Sequence, residues 1–458
     1  MEGDEKMFGI VKNDRADKAD KKEEYRLGKR TLQEATKFVQ DIITNSEVWG
    51  EEAFRHKEIL EDAQAGLPGA IEKARELIKE ILDKYQVEVE GMTREQLARE
   101  IFSYAWGLDV LEEAYYDPEV DEIRVNGPSA VFIQKRGKNV KTGIKFKDAE
   151  HVKKIIARLL FHDRGVALTA STPIVESIRK DGTRLTATCP PVTREWTMVL
   201  RKHDTFQMTP ENLIRAGTLN QELLDLLITM VRGRANILIS GGVGSGKTSL
   251  MRFLISYIHE ILRIVTLETD VELRLCEHYC GRDIIELEEH ADLNCDMKKL
   301  FRTTLRYSPD IIMVGEIRGM GEAVEAIKAC TRGLHGSMAT IHFGSPYEAV
   351  TGCAKMMLEE GLNLPLEIAE TWVADAFDVI IQMFADSTRG IKKIVQVTEV
   401  WPEKRGVNFH DLVVWRPSKY DYFEGEWEFV NPPSERLQEK LFKYGVNMSR
   451  FSSKAGAA

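Results

Sequence analysis

Residues 237–249 read Ile-Leu-Ile-Ser-Gly-Gly-Val-Gly-Ser-Gly-Lys-Thr-Ser. Ile237, Leu238 and Ile239 form a short apolar run of the kind a buried strand needs. Leu250, Phe253 and Leu254 begin a helical stripe just beyond. Between them, Gly241 to Thr248 match GxxxxGK[ST] in the strand-to-helix setting that this pattern requires. The glycines let the backbone turn its N–H groups inward with no Cβ in the way, and the helix N-terminus adds partial positive charge. The loop formed by Gly241, Gly242, Val243, Gly244, Ser245, Gly246, Lys247, Thr248 and Ser249 is therefore expected to cradle phosphates. Lys247 would reach the outer phosphates and Thr248 would offer its hydroxyl to Mg²⁺.

Working outward, apolar segments near Ile264, Ile311 and Thr340 alternate with helical stretches such as residues 222–231. That rhythm predicts an α/β fold with a parallel sheet wrapped by helices. Ligands of such sheets sit beyond the carboxyl ends of the strands. Residues 264–267 lead to Glu268, with Asp270 and Glu272 close behind; residues 310–314 lead to Gly315 and Glu316; residues 337–341 lead to His342. Two acids beside one metal-bound phosphate divide the work: one orients the metal's water shell, the other polarises the attacking water. Arg302, Arg306 and Arg318 near the third strand, with Arg179, Arg184 and Arg201 upstream, are candidates for stabilising charge on a phosphate in transfer. Each alone reads equally well as a surface ion pair.

The 458 residues are too many for one ordinary core. Residues 1–30 are a mixed-charge run without apolar periodicity, expected to be a disordered tail. Residues 31–116 carry three helical stripes, one through Ile42, one through Ile78, and one opened by a capping box, Thr93 with Gln96. They predict an all-helical module. Residues 117–205 change texture, with strand-like segments at 122–126, 130–134, 173–179, 184–188 and 197–202 around a helix at 151–160. They predict a small α+β domain. Residues 206–458 hold the phosphate loop and a C-terminal extension, with strands at 411–415 and 427–430 and a helix at 434–444; the late aromatics read as packing.

The formal net charge of −10 argues against nucleic acid as a direct ligand. No run approaches the roughly 18 apolar residues of a membrane span, and residues 1–30 lack the apolar core of a secretory signal. The expectation is a protein made in the cytosol and kept there. Its six cysteines form no CxxC pair. Cys276 and Cys280, one helical turn apart near His278 and His290, lack the second ligand pair of a zinc site and read as reduced structural thiols.

These motifs together resemble the secretion-ATPase superfamily of type II secretion, type IV pili and type IV secretion. Leu305, Arg306, Pro309, Asp310, Gly315, Glu316 and Arg318 resemble its Walker B region. Thr266, Leu267, Glu268, Glu272 and Leu273 resemble its acidic box, here with Thr269 between Glu268 and Asp270. Gly336 to His342, followed by Ser345 and Pro346, resembles its histidine box. Glu122 to Pro128, the Asp181, Gly182 and Arg184 turn, Pro190-Pro191 and Val397 to Val400 are most similar to the CpaF/TadA branch, the tight-adherence (Flp) pilus ATPases.

The resemblance implies a RecA-like P-loop ATPase domain preceded by the small α+β domain, with ATP and Mg²⁺ as ligands. It implies Glu316 as the catalytic acid, Glu268 and Thr248 on the metal side, and His342 as a γ-phosphate sensor. Arg184 and Arg201 would swing onto the nucleotide. It further implies a homo-oligomer, a hexameric ring, acting on inner-membrane platform proteins from the cytoplasmic face to drive pilus assembly or protein secretion. Two other readings stay open: an ATPase of a conjugation or DNA-transfer apparatus, and a nucleotide-dependent scaffold that has lost hydrolysis.

Overall fold

The computed structural model describes residues 30–67, 69–161, 166–202, 208–290, 293–319, 323–331, 333–404 and 406–452; the tail expected over residues 1–30 lies outside these, Arg30 excepted. The chain divides into two compact units, residues 1–136 with 140–205, and residues 137–139 with 206–458.

The first unit begins with helices Leu32–Ile43, Glu52–Gln64, Ala70–Lys84 and Arg94–Ala105. Both Thr31 with Glu34 and Thr93 with Gln96 form capping boxes, satisfying first-turn amides at two helix starts. The apolar stripes Phe38, Val39, Ile42 and Ile71, Ile78, Ile81 interlock with Leu97 and Ile101 in one core. Helix Glu52–Gln64 buries only Ala53, His56, Leu60 and Ala63, so packing rather than its own pattern holds it in place.

Six strands follow: β1 (Val120–Asn126), β2 (Val131–Lys135), β3 (Lys138–Lys141), β4 (Ile174–Ile178), β5 (Arg184–Thr188) and β6 (Thr197–Arg201). Their sheet runs β3-β2-β1-β6-β5-β4. Helix Ala149–Leu160 lays Val152, Ile155, Ile156 and Leu159 on its apolar face. A polar lock ties this sheet to the helices. Tyr115 donates its hydroxyl hydrogen bond to Asp181 and lies 3.0 Å from the Thr183 hydroxyl, while Arg179 Nη2 donates to the Gln64 carbonyl at 2.9 Å. Gly66 has φ +81°, and a Cβ there would stand 3.0 Å from Asp181 Oδ2, so glycine permits the close approach.

The second unit is built on nine strands: β7 (Ile237–Gly241), β8 (Ile264–Glu268), β9 (Ile284–Glu288), β10 (Ile311–Ile317), β11 (Met338–Ile341), β12 (Val379–Asp386), β13 (Ile391–Pro402), β14 (Val407–Pro417) and β15 (Gly425–Phe429). They are ordered β15-β14-β13-β12-β7-β11-β10-β8-β9. From β12 through β9 every neighbouring pair is parallel, and β13 to β15 continue as an antiparallel meander. Successive side chains of a strand face opposite sides, and both sides here are covered. Ile237, Ile239, Ile311 and Met313 join the core under helices Gln221–Arg232 and Lys247–Ile255. Leu238, Ile312 and Val314 join the core under helices Ala323–Thr331, Pro346–Glu359 and Leu366–Ala376. This is the RecA-like α/β arrangement that the family resemblance implies. Parallel pairing of β7, β11, β10 and β8, with one register shift in β10 between Val314 and Ile317, brings their carboxyl ends to one edge.

Candidate functional site

At the carboxyl end of β7 the chain enters the glycine loop. Gly244 (φ +73°) and Gly246 (φ +92°) take left-handed conformations open to glycine at no steric cost. Gly246 is the cap of helix Lys247–Ile255 and supplies no side-chain hydrogen bond to its first turn. The first-turn amides of a helix have no partner within the helix, and together with its dipole they are the groups that bind phosphate. Lys247 is buried, 6% exposed. Its Nζ donates to the carbonyls of Gly241 (3.0 Å) and Gly242 (3.1 Å) and lies 2.9 Å from His342 Nδ1.

His342, the first residue after β11, connects that lysine to Glu316 on β10: its Nε2 meets Glu316 Oε1 in a short contact. Glu316 Oε2 in turn accepts from Arg318 Nε at 2.7 Å. A carboxylate can only accept, so Nε2 carries the hydrogen towards Glu316, while Nδ1 faces both Lys247 Nζ and, at 3.2 Å, the Gly241 carbonyl. Burial pushes the Glu316 carboxyl up, but hydrogen bonds from His342 and Arg318 and the Arg318 charge overcome it and hold the group at about 2. Glu316 is thus held as an anion and is joined through one imidazole to Lys247.

Glu268, at the end of β8, is 2% exposed. Oε1 accepts from the amides of Glu272 and Leu273, each at 3.0 Å, and Oε2 is buried with no hydrogen-bond partner. Burial pushes this carboxyl up to about 7, beyond what the two amides offset. Its side chain lies over Gly315: a Cβ there would be 2.7 Å from Glu268 Cγ, so the glycine before Glu316 makes room for the second acid. Glu272, which the sequence marks only as an acid behind Glu268, is the carboxylate facing the loop, with Oε2 3.3 Å from the Thr248 hydroxyl. Nothing in linear spacing distinguishes the two; the turn after β8 sends Glu268 into the sheet and Glu272 towards the helix start. Hydroxyl and carboxylate oxygens side by side at the loop are the hard donors that suit Mg²⁺.

The arginines separate into groups. Arg184 and Arg201 lie in the first unit, directly opposite each other across β5 and β6. Arg179, in the same unit, is 8% exposed and committed to Gln64 and Asp181. Arg302 and Arg306 are exposed on helix Met297–Thr304 and the turn after it. His335 precedes β11, at the end opposite His342, and pairs with the Tyr444 hydroxyl at 2.8 Å. All six cysteines are free, and Cys280 donates weakly to backbone carbonyls of Cys276 and Glu277. Among the described residues no cluster of three or more His, Cys, Asp or Glu side chains is arranged to hold a metal ion, and no helix is long and apolar enough to cross a membrane.

A family model for type II/IV secretion system proteins matches residues 107–403. The chain is 27% identical over 297 residues to a probable conjugal transfer protein TrbB of Sinorhizobium fredii, covering 63% of this chain and 86% of that protein. It is 28% identical over 315 residues to the type IV secretion system protein VirB11 of Brucella suis, covering 62% and 86%. The crystal structure of the VirB11 ATPase from the Brucella suis type IV secretion system, in complex with sulphate, aligns with a TM-score of 0.35 at 27% identity, covering 63% of this chain and 92% of that one.

Proposed function

The chain belongs to the type II/IV secretion system protein family, and on that premise we propose that it is a cytoplasmic motor ATPase coupling ATP hydrolysis to pilus assembly or protein secretion, of the tight-adherence (Flp) kind. The observation that carries the catalytic part is the continuous contact path from Lys247 through His342 to Glu316 and Arg318 at one sheet edge.

The loop amides and Lys247 bind and orient the triphosphate. Glu316, kept ionised by His342 and Arg318, accepts a hydrogen bond from the attacking water and so aligns it. His342 bridges Lys247 and Glu316, so a γ-phosphate competing for Lys247 alters the imidazole's own bonding; that makes it the sensor. Mg²⁺ held by Thr248, with Glu272 and Glu268 behind it, would neutralise charge developing on the phosphate oxygens. Arg184 and Arg201 are the arginines that this reading would bring to the charge on the transferred phosphate. Contacts to a γ-phosphate exist only before hydrolysis, so losing them releases the residues they hold and yields motion. A ring of six copies pressing on an inner-membrane platform protein converts the motion into work.

The test is phosphate release by the purified protein. Lys247→Ala should abolish it, and Glu316→Gln should bind ATP without turning it over. Rapid hydrolysis by Glu316→Gln removes Glu316 from its role. Recovery of a platform protein from membranes with this chain as bait checks the coupling. The conjugal-transfer relatives favour a second reading, with the same chemistry serving DNA transfer; stimulation of hydrolysis by DNA at physiological salt would favour it over the pilus role.

A further inference from the structure

β11 ends at Ile341, so His342 has left the sheet ladder where it meets Lys247 and Glu316. Its side chain is 38% exposed, and an exposed imidazole keeps one geometry only if the backbone beneath it is fixed. That backbone is gripped at the next residue. The Phe343 carbonyl accepts from Gln382 Nε2 at 3.0 Å and from the Ser240 hydroxyl at 3.2 Å. Gln382 on β12 and Ser240 on β7 are paired in register, and Ser240 pairs in turn with Ile341 on β11. Three adjacent strands thus converge on one carbonyl.

The Phe343 ring is seated as tightly. Gly352 lies inside helix Pro346–Glu359, and a Cβ there would stand 1.9 Å from the ring's Cζ. Glycine weakens a helix interior relative to alanine, so this notch is a cost to the helix that the ring requires. Gln382 carries a comparable cost. It is 3% exposed within an apolar run, Val379, Ile380, Ile381 and Met383, and its Oε1 is buried without a partner. A buried, half-satisfied amide is less stable than an apolar side chain of the same size.

We infer that Gln382 is a positioning residue for nucleotide discrimination, which clamps the Phe343 carbonyl with Ser240 so that His342 bridges Lys247 and Glu316. The inference rests on the proposed role of His342 as γ-phosphate sensor. Gln382 touches no reacting group in this scheme; it acts through the histidine.

The experiment measures affinities of the full chain for Mg-ADP and for a slowly hydrolysed Mg-ATP analogue in wild type, His342→Ala, Gln382→Met and the double variant. Gln382→Met should leave ADP affinity unchanged and lower the triphosphate-over-diphosphate preference roughly three- to tenfold, the worth of one hydrogen bond. In the His342→Ala background it should lower that preference no further, since both changes act through one side chain. An unchanged preference in Gln382→Met, a melting temperature that falls with no change in preference, or full additivity in the double variant overturns the inference and leaves the sensor role standing. An unchanged preference in His342→Ala overturns both. Should Gln382→Met fail to fold, Ser240→Ala removes the other donor at the same carbonyl and should shift the preference in the same direction; no shift overturns the clamp.

Discussion

Glu268→Gln should make the second unit progressively more stable than the wild type as pH rises from the unfolded carboxyl value of 4.5 through the folded value of about 7. The carboxyl is buried, its Oε2 has no hydrogen-bond partner, and it titrates at about 7 in the folded chain against an ordinary value of 4.5. A carboxyl raised in this way contributes stability that is complete below its unfolded value and is lost as pH rises through the folded one. With those two values, ionisation of Glu268 removes about 2 kcal/mol between roughly pH 5.5 and pH 8. Glutamine keeps the acceptor that serves the Glu272 and Leu273 amides and cannot ionise. The assay is the urea midpoint of wild type and variant, without nucleotide, across that range. Subtracting the two curves cancels every other titrating group. The difference should grow by about 2 kcal/mol from roughly pH 5.5 to pH 7 and then level off. Parallel curves would show that Glu268 is already ionised throughout, and the burial reasoning would fall.

Arg318→Met removes one of the two donors that keep Glu316 ionised, so its carboxyl pKa rises and the acid limb of the hydrolysis rate should move to higher pH; an unmoved limb refutes the assignment. Gly352→Ala should destabilise by about 1–3 kcal/mol in urea unfolding although alanine is the better helix former, because the new methyl meets the Phe343 ring. Tyr115→Phe should cost the first unit about 1–3 kcal/mol by unpairing the buried hydrogen bonds to Asp181 and Thr183, and a smaller change would show the lock to be incidental.

The phosphate loop is legible because all its parts are contiguous. A strand, a glycine turn and a helix start within 13 residues leave the backbone few alternatives, and Gly244, Gly246 and Lys247 fall where the pattern puts them. The Thr93 capping box is legible for the same reason. The strands of residues 184–188 and 197–202 follow from alternation over a half-buried face. Strand β12 is not legible: its apolar run follows helix Leu366–Ala376 closely, and a short run of that kind does not tell strand from helix. With β12 hidden, Gln382 has no visible place in the site. Glu268 and Glu272 pose a like problem, since one turn of chain decides which enters the sheet.

Sequence alone therefore determined the strand, glycine turn and helix start of residues 237–249 and the types of residue that end the neighbouring strands. Local backbone geometry is set by residues a few positions apart, and those can be read in a line. Only the tertiary structure decided that Lys247 meets His342, that His342 meets Glu316, and that Ser240 and Gln382 grip the next carbonyl. Those partners are brought together by the order β12-β7-β11-β10, an order chosen by the burial of two whole faces of a sheet rather than by any one segment of the chain.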